Sequence, residues 1–278
     1  MLSRNYLPSP KLAPYIRRYY VFEAPLPSDH VIDDFLLAET AFVRCLIEGD
    51  WRGSDVPEEL SQAGYSLFSG ANSKPYQVRL TGSLNNVGIA FRPSGWRALF
   101  TQSHSEFSDR LLSLNDVWGE LAETLFNGAA AATNDGQKIE VVEKVLAERL
   151  DALGTYDFDE AMARFEVFVR QDSTIRIDEA AKQIGLSVRQ LERRCKYCFG
   201  HTPKAVLRRS RFLDMAAAMR GFSSPSEQLL AELRYFDQSH LSKEFKHFAG
   251  MTPKQFKDAT TPLLTAGLKL REESRYED

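Results

Sequence analysis

Cysteine is scarce in this chain: Cys45, Cys195 and Cys198 are the three among 278 residues, too few and too unevenly spaced for a disulfide framework. No apolar run approaches the roughly eighteen residues of a membrane-spanning helix, and the N-terminus lacks the basic and apolar blocks of a secretory leader. We therefore expect a protein of the reducing cytoplasm with no membrane partner. Catalytic signatures are missing as well. There is no glycine-rich phosphate loop and no Ser-His-Asp pattern. Cys195 and Cys198 form a C-x-x-C, but no second pair of Cys or His stands at zinc spacing. His30 and His104 are isolated. Neither an enzyme, a metal site nor a cofactor is expected.

What the chain does have is a spaced repeat. Gly200, Thr202, Pro203 and Lys204 recur fifty positions later as Gly250, Thr252, Pro253 and Lys254; Leu191 and Lys196 keep the same interval to Leu241 and Lys246. Ser187 and Asp237 precede the two sets as helix N-cap candidates. Two copies of one supersecondary unit follow, each a short helix, a tight turn and a second helix. In the first unit Ile177, Ala180, Ala181 and Ile184 form an apolar stripe. Gly185 can stop that helix in a left-handed conformation, and Ser187 can cap the next. The second helix begins at Val188, with Leu191, Cys195 and Phe199 inward and Arg189, Gln190, Glu192, Arg193, Lys196 and Tyr197 outward. Such a polar, Arg-rich face suits a DNA major groove, where Arg reaches guanine and Gln adenine bidentately.

The second unit reads similarly. Leu229, Leu230 and Leu233 form its stripe, and Leu241, Phe245 and Phe248 turn inward. Gln238, Ser239, His240, Ser242 and Lys243 face out. Lys196, Lys204, Lys246, His247 and Lys254 are placed for phosphates. Between the units, Pro203 to about Met219 reads as a helix that packs through Val206, Phe212, Leu213, Ala216 and Met219. A rigid spacer of that kind would set two readers about one DNA turn, roughly 34 Å, apart.

From about Thr174 to Ala259 the chain resembles the DNA-binding domain of the AraC/XylS family of bacterial transcription regulators. The residues Asp237-Gln238-Ser239-His240-Leu241-Ser242-Lys243-Glu244-Phe245-Lys246, with Gly250-Met251-Thr252-Pro253, carry the likeness. It implies base reading by the outward residues of both second helices, in successive major grooves. Three positions depart from the family pattern: Arg234 stands for the usual Gly of the second turn, Leu230 for an Ala and Cys195 for a Phe.

Charge is segregated. Residues 171–262 hold 16 Lys and Arg against 10 Asp and Glu, a net of +6, while residues 1–170 hold 16 against 24, a net of −8. A basic module beside an acidic one is what a nucleic-acid reader attached to a different domain would show.

The first half alternates with period two over Tyr15–Phe22, Ala41–Ile47, Gly64–Phe68, Tyr76–Leu80 and Val87–Phe91, with breaks such as Gly82-Ser83 between. Five short strands suggest a small β-barrel or sandwich. Helical spacing follows through Trp96, Leu99, Phe100, Leu111, Val117, Leu121 and Leu125, then a clear helix over 138–153 after a loop from Ala129 to Gly136.

The expected fold class is α+β: an N-terminal small β-barrel with helices (1–155), an all-α domain of two helix-turn-helix units joined by a long helix (156–262), and a frayed C-terminal tail (263–278). The resemblance adds a cupin-like, effector-binding or dimerising role for the first half, without the two-His-plus-Glu spacing of a metal-binding cupin enzyme. Tyr19, Phe22, Phe68 and Phe91 are the candidates for an effector pocket, with ordinary core as the alternative. The helix over 138–153 either contacts a second copy or packs on the barrel. Expected partners are double-stranded DNA, a small-molecule effector, a second copy of the chain and, if the protein activates, RNA polymerase. The competing reading is a small-molecule-binding or enzymatic first half beside a degenerate DNA module.

Overall fold

The computed structural model describes residues 2–53, 64–223 and 238–275. Among the described residues seven antiparallel strands form one sheet: β1 (Leu2–Tyr6), β2 (Ile16–Ala24), β3 (Val31–Leu36), β4 (Phe42–Gly53), β5 (Tyr65–Ser69), β6 (Tyr76–Phe91) and β7 (Leu111–Ser113). The order is β1-β2-β6-β4-β5-β7, with β3 also on β6. Among the described residues the sheet does not close, so the expected barrel is an open sheet compatible with a cupin-like fold. The two strands expected over Tyr76–Leu80 and Val87–Phe91 are one, and Gly82-Ser83 is no break. This long strand pairs with β3 along its first part and β2 along its second. β4 follows both parts by shifting register between Leu46, Glu48 and Asp50, the bend that a bulge supplies. Leu111, expected on a helix, opens β7.

Strand alternation sends two sets of side chains to opposite faces. One face carries Tyr19, Val21, Val43, Cys45, Val87, Ile89 and Phe91 and is covered by helices, in a core shared with Trp96, Phe100, Leu125, Val142, Leu146 and Leu150. Those helices are α1 (Trp96–Leu99), α2 (Leu114–Trp118), α3 (Glu120–Ala131) and α4 (Asp135–Leu153). The expected 129–136 loop is shorter than its composition suggests. Its Asn134 accepts the Gln137 amide and starts α4 there, as N-caps do.

The rest is helical: α5 (Glu160–Gln171), α6 (Ile177–Gln183), α7 (Val188–Phe199), α8 (Pro203–Met219), α9 (Gln238–Ala249), α10 (Pro253–Asp258) and α11 (Pro262–Glu273). The segment 263–278, expected to fray, is a packed helix over most of its length. Leu264 and Leu268 are 4 % and 1 % exposed. Asp34 of β3 accepts the Leu263 amide at 2.6 Å and the Leu264 amide at 3.4 Å, so the cap comes from the other half of the chain. No described helix is long and apolar enough to cross a membrane.

The two halves are joined by buried polar contacts and by one strand. Phe35 of β3 enters the core formed by Phe212, Phe245, Phe248 and Phe256. Arg209 of α8 donates to the carbonyls of Asn72 (2.7 Å) and Glu39 (2.5 Å). Burial lowers its guanidinium pKa to about 10. His104 Nε2 accepts the Ala71 amide at 3.0 Å while Nδ1 donates to the Cys198 carbonyl at 2.9 Å.

Candidate nucleic-acid interface and the cavity behind it

The first unit forms as its residues dictate. Ala180, Ala181 and Ile184 are buried on α6. Gly185 turns with φ +75°, a conformation that other residues adopt at a cost. Ser187 closes a capping box, its hydroxyl accepting the Gln190 amide at 3.2 Å and its own amide donating to Gln190 Oε1 at 2.8 Å. Along α7, Leu191, Cys195, Cys198 and Phe199 are buried at 2 % exposure or less. Arg189, Glu192, Arg193 and Lys196, at i, i+3, i+4 and i+7, are exposed as one stripe. Gln190 is exposed too, but its amide oxygen is engaged in the cap. Arg194 ties α7 to α5 through Asp159 at 3.2 Å.

Cys195 and Cys198 are buried thiols. Burial pushes Cys198 up to about 12 and Cys195 well above its ordinary value, so neither is a thiolate at neutral pH. Among the described residues no group of three His, Cys, Asp or Glu could hold a metal.

The spacer helix has the expected bounds, and Thr202 caps it by accepting the Ala205 amide. In the second unit Phe245, Phe248 and Ala249 are buried, Ser239 and Lys243 exposed and Ser242 half-buried. The side chains of Gln238 and His240 lie outside the described ones, as do residues Leu229, Leu230, Leu233, Arg234 and Asp237. Lys196, Lys204, Lys246, His247 and Lys254 are all exposed. The first helix residues after Gly-x-Thr, Pro203-Lys204 and Pro253-Lys254, place a lysine in the first turn of each helix, where its cation can meet phosphate. Glu244, absent from the expected site, is the residue that seats the second reader. Arg208 of α8 donates to both its carboxylate oxygens at 2.7–3.0 Å.

Behind the readers lies a cavity of about 210 Å³ between the sheet's other face and α11. Tyr20 and Phe22 of β2, Phe42, Arg44 and Trp51 of β4, Asn86 of β6, and Leu263 and Leu270 of α11 line it. Of the four expected pocket aromatics only Phe22 is there. Tyr19, Phe68 and Phe91 belong to the helix-covered core, because odd and even positions of one strand face opposite sides. The Arg44 guanidinium lies 4.7 Å from the Trp51 ring, 5.0 Å from Phe42 and 5.7 Å from Tyr20. It pairs with no carboxylate among the described residues. Arg18 also lines the cavity, and burial lowers its pKa to about 10. Trp51 Nε1 and Asn86 Oδ1 are buried with no hydrogen-bond partner among the described residues. A charged residue inside the apolar run Phe42-Val43-Arg44-Cys45-Leu46 was the available sequence signal.

Gly88 makes this cage. It is the cross-strand neighbour of both Tyr20 and Arg44, and a Cβ there would stand 1.9 Å from Tyr20 Cζ. Gly88→Ala must therefore push the Tyr20 ring off Arg44. We expect unchanged circular dichroism, a stability loss of about 1–3 kcal/mol from overpacking, and loss of binding of the aromatic anion 8-anilino-1-naphthalenesulfonate. Full probe affinity in this variant would leave the cage with no part in binding the probe.

A capped reader helix on a buried apolar base, with a rigid helix leading to a second, defines a helix-turn-helix DNA-binding protein. Residues 180–259 match the family described as Helix-turn-helix domain, and residues 4–113 match Domain of unknown function (DUF6597). Residues 180–259 thus carry an AraC-type helix-turn-helix domain, the DNA-binding module of a transcription regulator. A search of curated proteins by sequence gave no match. Among solved structures the chain is similar to ToxT from Vibrio cholerae, at 14 % identity over 86 % of this chain and 97 % of that one, with a TM-score of 0.45. It is also similar to unsaturated fatty acid bound wild-type ToxT, at 12 % identity over 86 % and 94 % with a TM-score of 0.45. The AraC-like transcriptional activator CuxR matches at 12 % identity over 77 % and 94 %, with a TM-score of 0.28.

Proposed function

We propose that this regulator binds specific duplex DNA through α7 and α9, and that a small apolar anion in the cavity controls it. The observation that carries the second part is Arg44, a cation held in aromatic rings on the cavity wall with no ion pair among the described residues, the cavity's Glu39 being paired with Arg271. A half-buried charge walled by aromatic rings is poorly hydrated, and a ligand carboxylate would supply a counter-ion. At about 30 Å³ per water the cavity has room for about seven waters, the scale of a small organic acid rather than of a polymer. Trp51 Nε1 gives that acid a further donor. Titrating the full-length chain with 8-anilino-1-naphthalenesulfonate, then displacing it with aromatic and aliphatic carboxylates, tests the site. Arg44→Gln should weaken the probe tenfold or more; equal affinity in the two proteins would remove the anion from the cavity.

For the DNA half, duplexes selected from a random pool should yield a motif with two half-sites about one turn apart. Arg193→Ala is expected to cost about 1–3 kcal/mol on the selected duplex and to relax preference at one base position. Lys246→Ala should weaken all duplexes alike and flatten the salt dependence by about one unit. Identical behaviour of the two variants would undo the division into base readers and phosphate contacts.

A further inference from the structure

The acidic N-terminal half carries one cation that leans on the reader helix. Arg97, exposed on α1, places its guanidinium carbon 4.0 Å from the centre of the Tyr197 ring. Tyr197 stands one helical turn beyond Arg193 and next to Lys196, and its hydroxyl donates to the Thr101 carbonyl at 3.3 Å. Arg97 pairs with no carboxylate among the described residues. Its backbone is held on both sides: Trp96 stacks on Phe100 at 3.9 Å and Thr155 donates to the Arg97 carbonyl at 3.3 Å.

We propose that Arg97 is part of the DNA interface and grips the phosphate backbone of the duplex that α7 reads, an inference that rests on the DNA-binding reading of α7. An α-helix with its side chains is about 10–12 Å across and the major groove about 12 Å wide. The flanks of a seated reader helix therefore meet the sugar–phosphate walls, and a group packed against one flank meets a wall too. Arg97 occupies that position on the Tyr197 flank. The groove between the halves, about 880 Å³, is lined by Arg97, Arg193, Lys196 and Tyr197 on this side. Asp157, Asp159 and Glu160 line it on the side of α5. Asp159 is already engaged, by the Met162 amide and by Arg194. Arg164 of α5 also lines that side, so the α5 wall carries three carboxylates against one cation while the Arg97 wall carries cations alone, and the phosphates belong on the Arg97 wall. DNA binding then senses how the N-terminal half sits against the first reader, with no change in base contacts.

The experiment uses the full-length chain and a labelled random-sequence duplex of about 30 base pairs, with anisotropy read across a salt series. Each phosphate contact contributes about 0.9 to the slope of log affinity against log salt. Arg97→Ala should reduce the slope by about that amount and weaken binding several-fold at low salt. Arg97→Lys should keep the slope. Arg97→Met keeps the stem on the Tyr197 ring without the charge, and should match Arg97→Ala while melting like the wild type. An unchanged slope in Arg97→Met beside a salt-dependent wild type overturns the inference alone. Absence of salt-dependent duplex binding by the wild type overturns the reading of α7 as a DNA reader, and the inference with it.

Discussion

Asp214→Ala is expected to destabilise the chain by about 3–5 kcal/mol, the usual cost of leaving buried charge uncompensated. Asp214 on α8 is the centre of a network that fastens the C-terminal helix. Its Oδ1 receives Arg271 at 2.9 Å and Arg275 at 2.5 Å, and its Oδ2 accepts the Ser173 hydroxyl at 2.5 Å. Both guanidiniums are 10 % exposed or less. Arg271 keeps Glu39 at 3.1 Å after the substitution, and Arg275 keeps Glu272 at 3.0 Å. Two cations would then share fewer anions in a site that is 10 % exposed or less. The arginines hold Glu39 below its ordinary range even though burial pushes it upward, so it stays charged at neutral pH. Denaturation of Asp214→Ala and Asp214→Asn should rank Ala below Asn below wild type, since the amide still reaches Ser173. A loss under 1 kcal/mol for Ala would mean that the helix is held by Leu264 and Leu268 alone. Because α11 also roofs the cavity through Leu263 and Leu270, probe binding should fall together with stability.

On the proposed function, that helix is the route by which a ligand would reach both readers. One face of α11 looks into the cavity, and the other packs on α8 beside Phe212, Leu213 and Ala216. Anything that shifts α11 by filling the cavity therefore acts on the spacer that fixes the distance between α7 and α9. Interiors packed this densely respond to such a push by moving elements rather than by compressing. The Arg208–Glu244 pair ties α8 to α9 and would carry the same push onward.

The helical half was legible because its signals are local. Gly185, Ser187, Thr202, Pro203, Thr252 and Pro253 each act within a few residues of themselves, and the caps form where the residues dictate. The outward stripe of α7 follows from spacing alone. The cavity was not legible, because what makes it is cross-strand register. Tyr20, Arg44 and Gly88 become neighbours only when three strands align, and nothing in the chain near Tyr19 says which of two adjacent tyrosines faces the helices. The C-terminal helix was misread for a similar reason: its cap, Asp34, is more than 200 residues away, and its charged end pairs with residues of α8 and of the N-terminal half. Gly82-Ser83 misled in the opposite sense, since a glycine inside a long strand resembles a turn until its partners are known.

Acid should loosen the joint between the halves through His104, and the sign follows from its two hydrogen bonds. Nε2 accepts the Ala71 amide and Nδ1–H donates to the Cys198 carbonyl. That fixes the neutral tautomer, stacked 4.1 Å from Trp96. A second proton would go on Nε2, where an N–H already points. Burial is the main cause that lowers the folded-state pKa from 6.5 to about 3, and the nearby His201 and Arg209 push the same way. A histidine with a depressed folded pKa contributes fully above its unfolded value and loses that contribution as pH falls from about 6.5 toward 3. The slope is about 1.4 kcal/mol per unit, so about 2 kcal/mol is lost by pH 5. His201, which donates to the Ala71 carbonyl at 2.9 Å, is lowered as well and adds to the effect. The check is the urea midpoint at pH 7 and pH 5 for wild type and His104→Gln. Glutamine can still accept from Ala71 and donate to Cys198, but it does not titrate. The wild type should lose about 2 kcal/mol more than the variant over that interval. Parallel losses would show that protonation occurs elsewhere and that His104 holds the two halves together independently of pH.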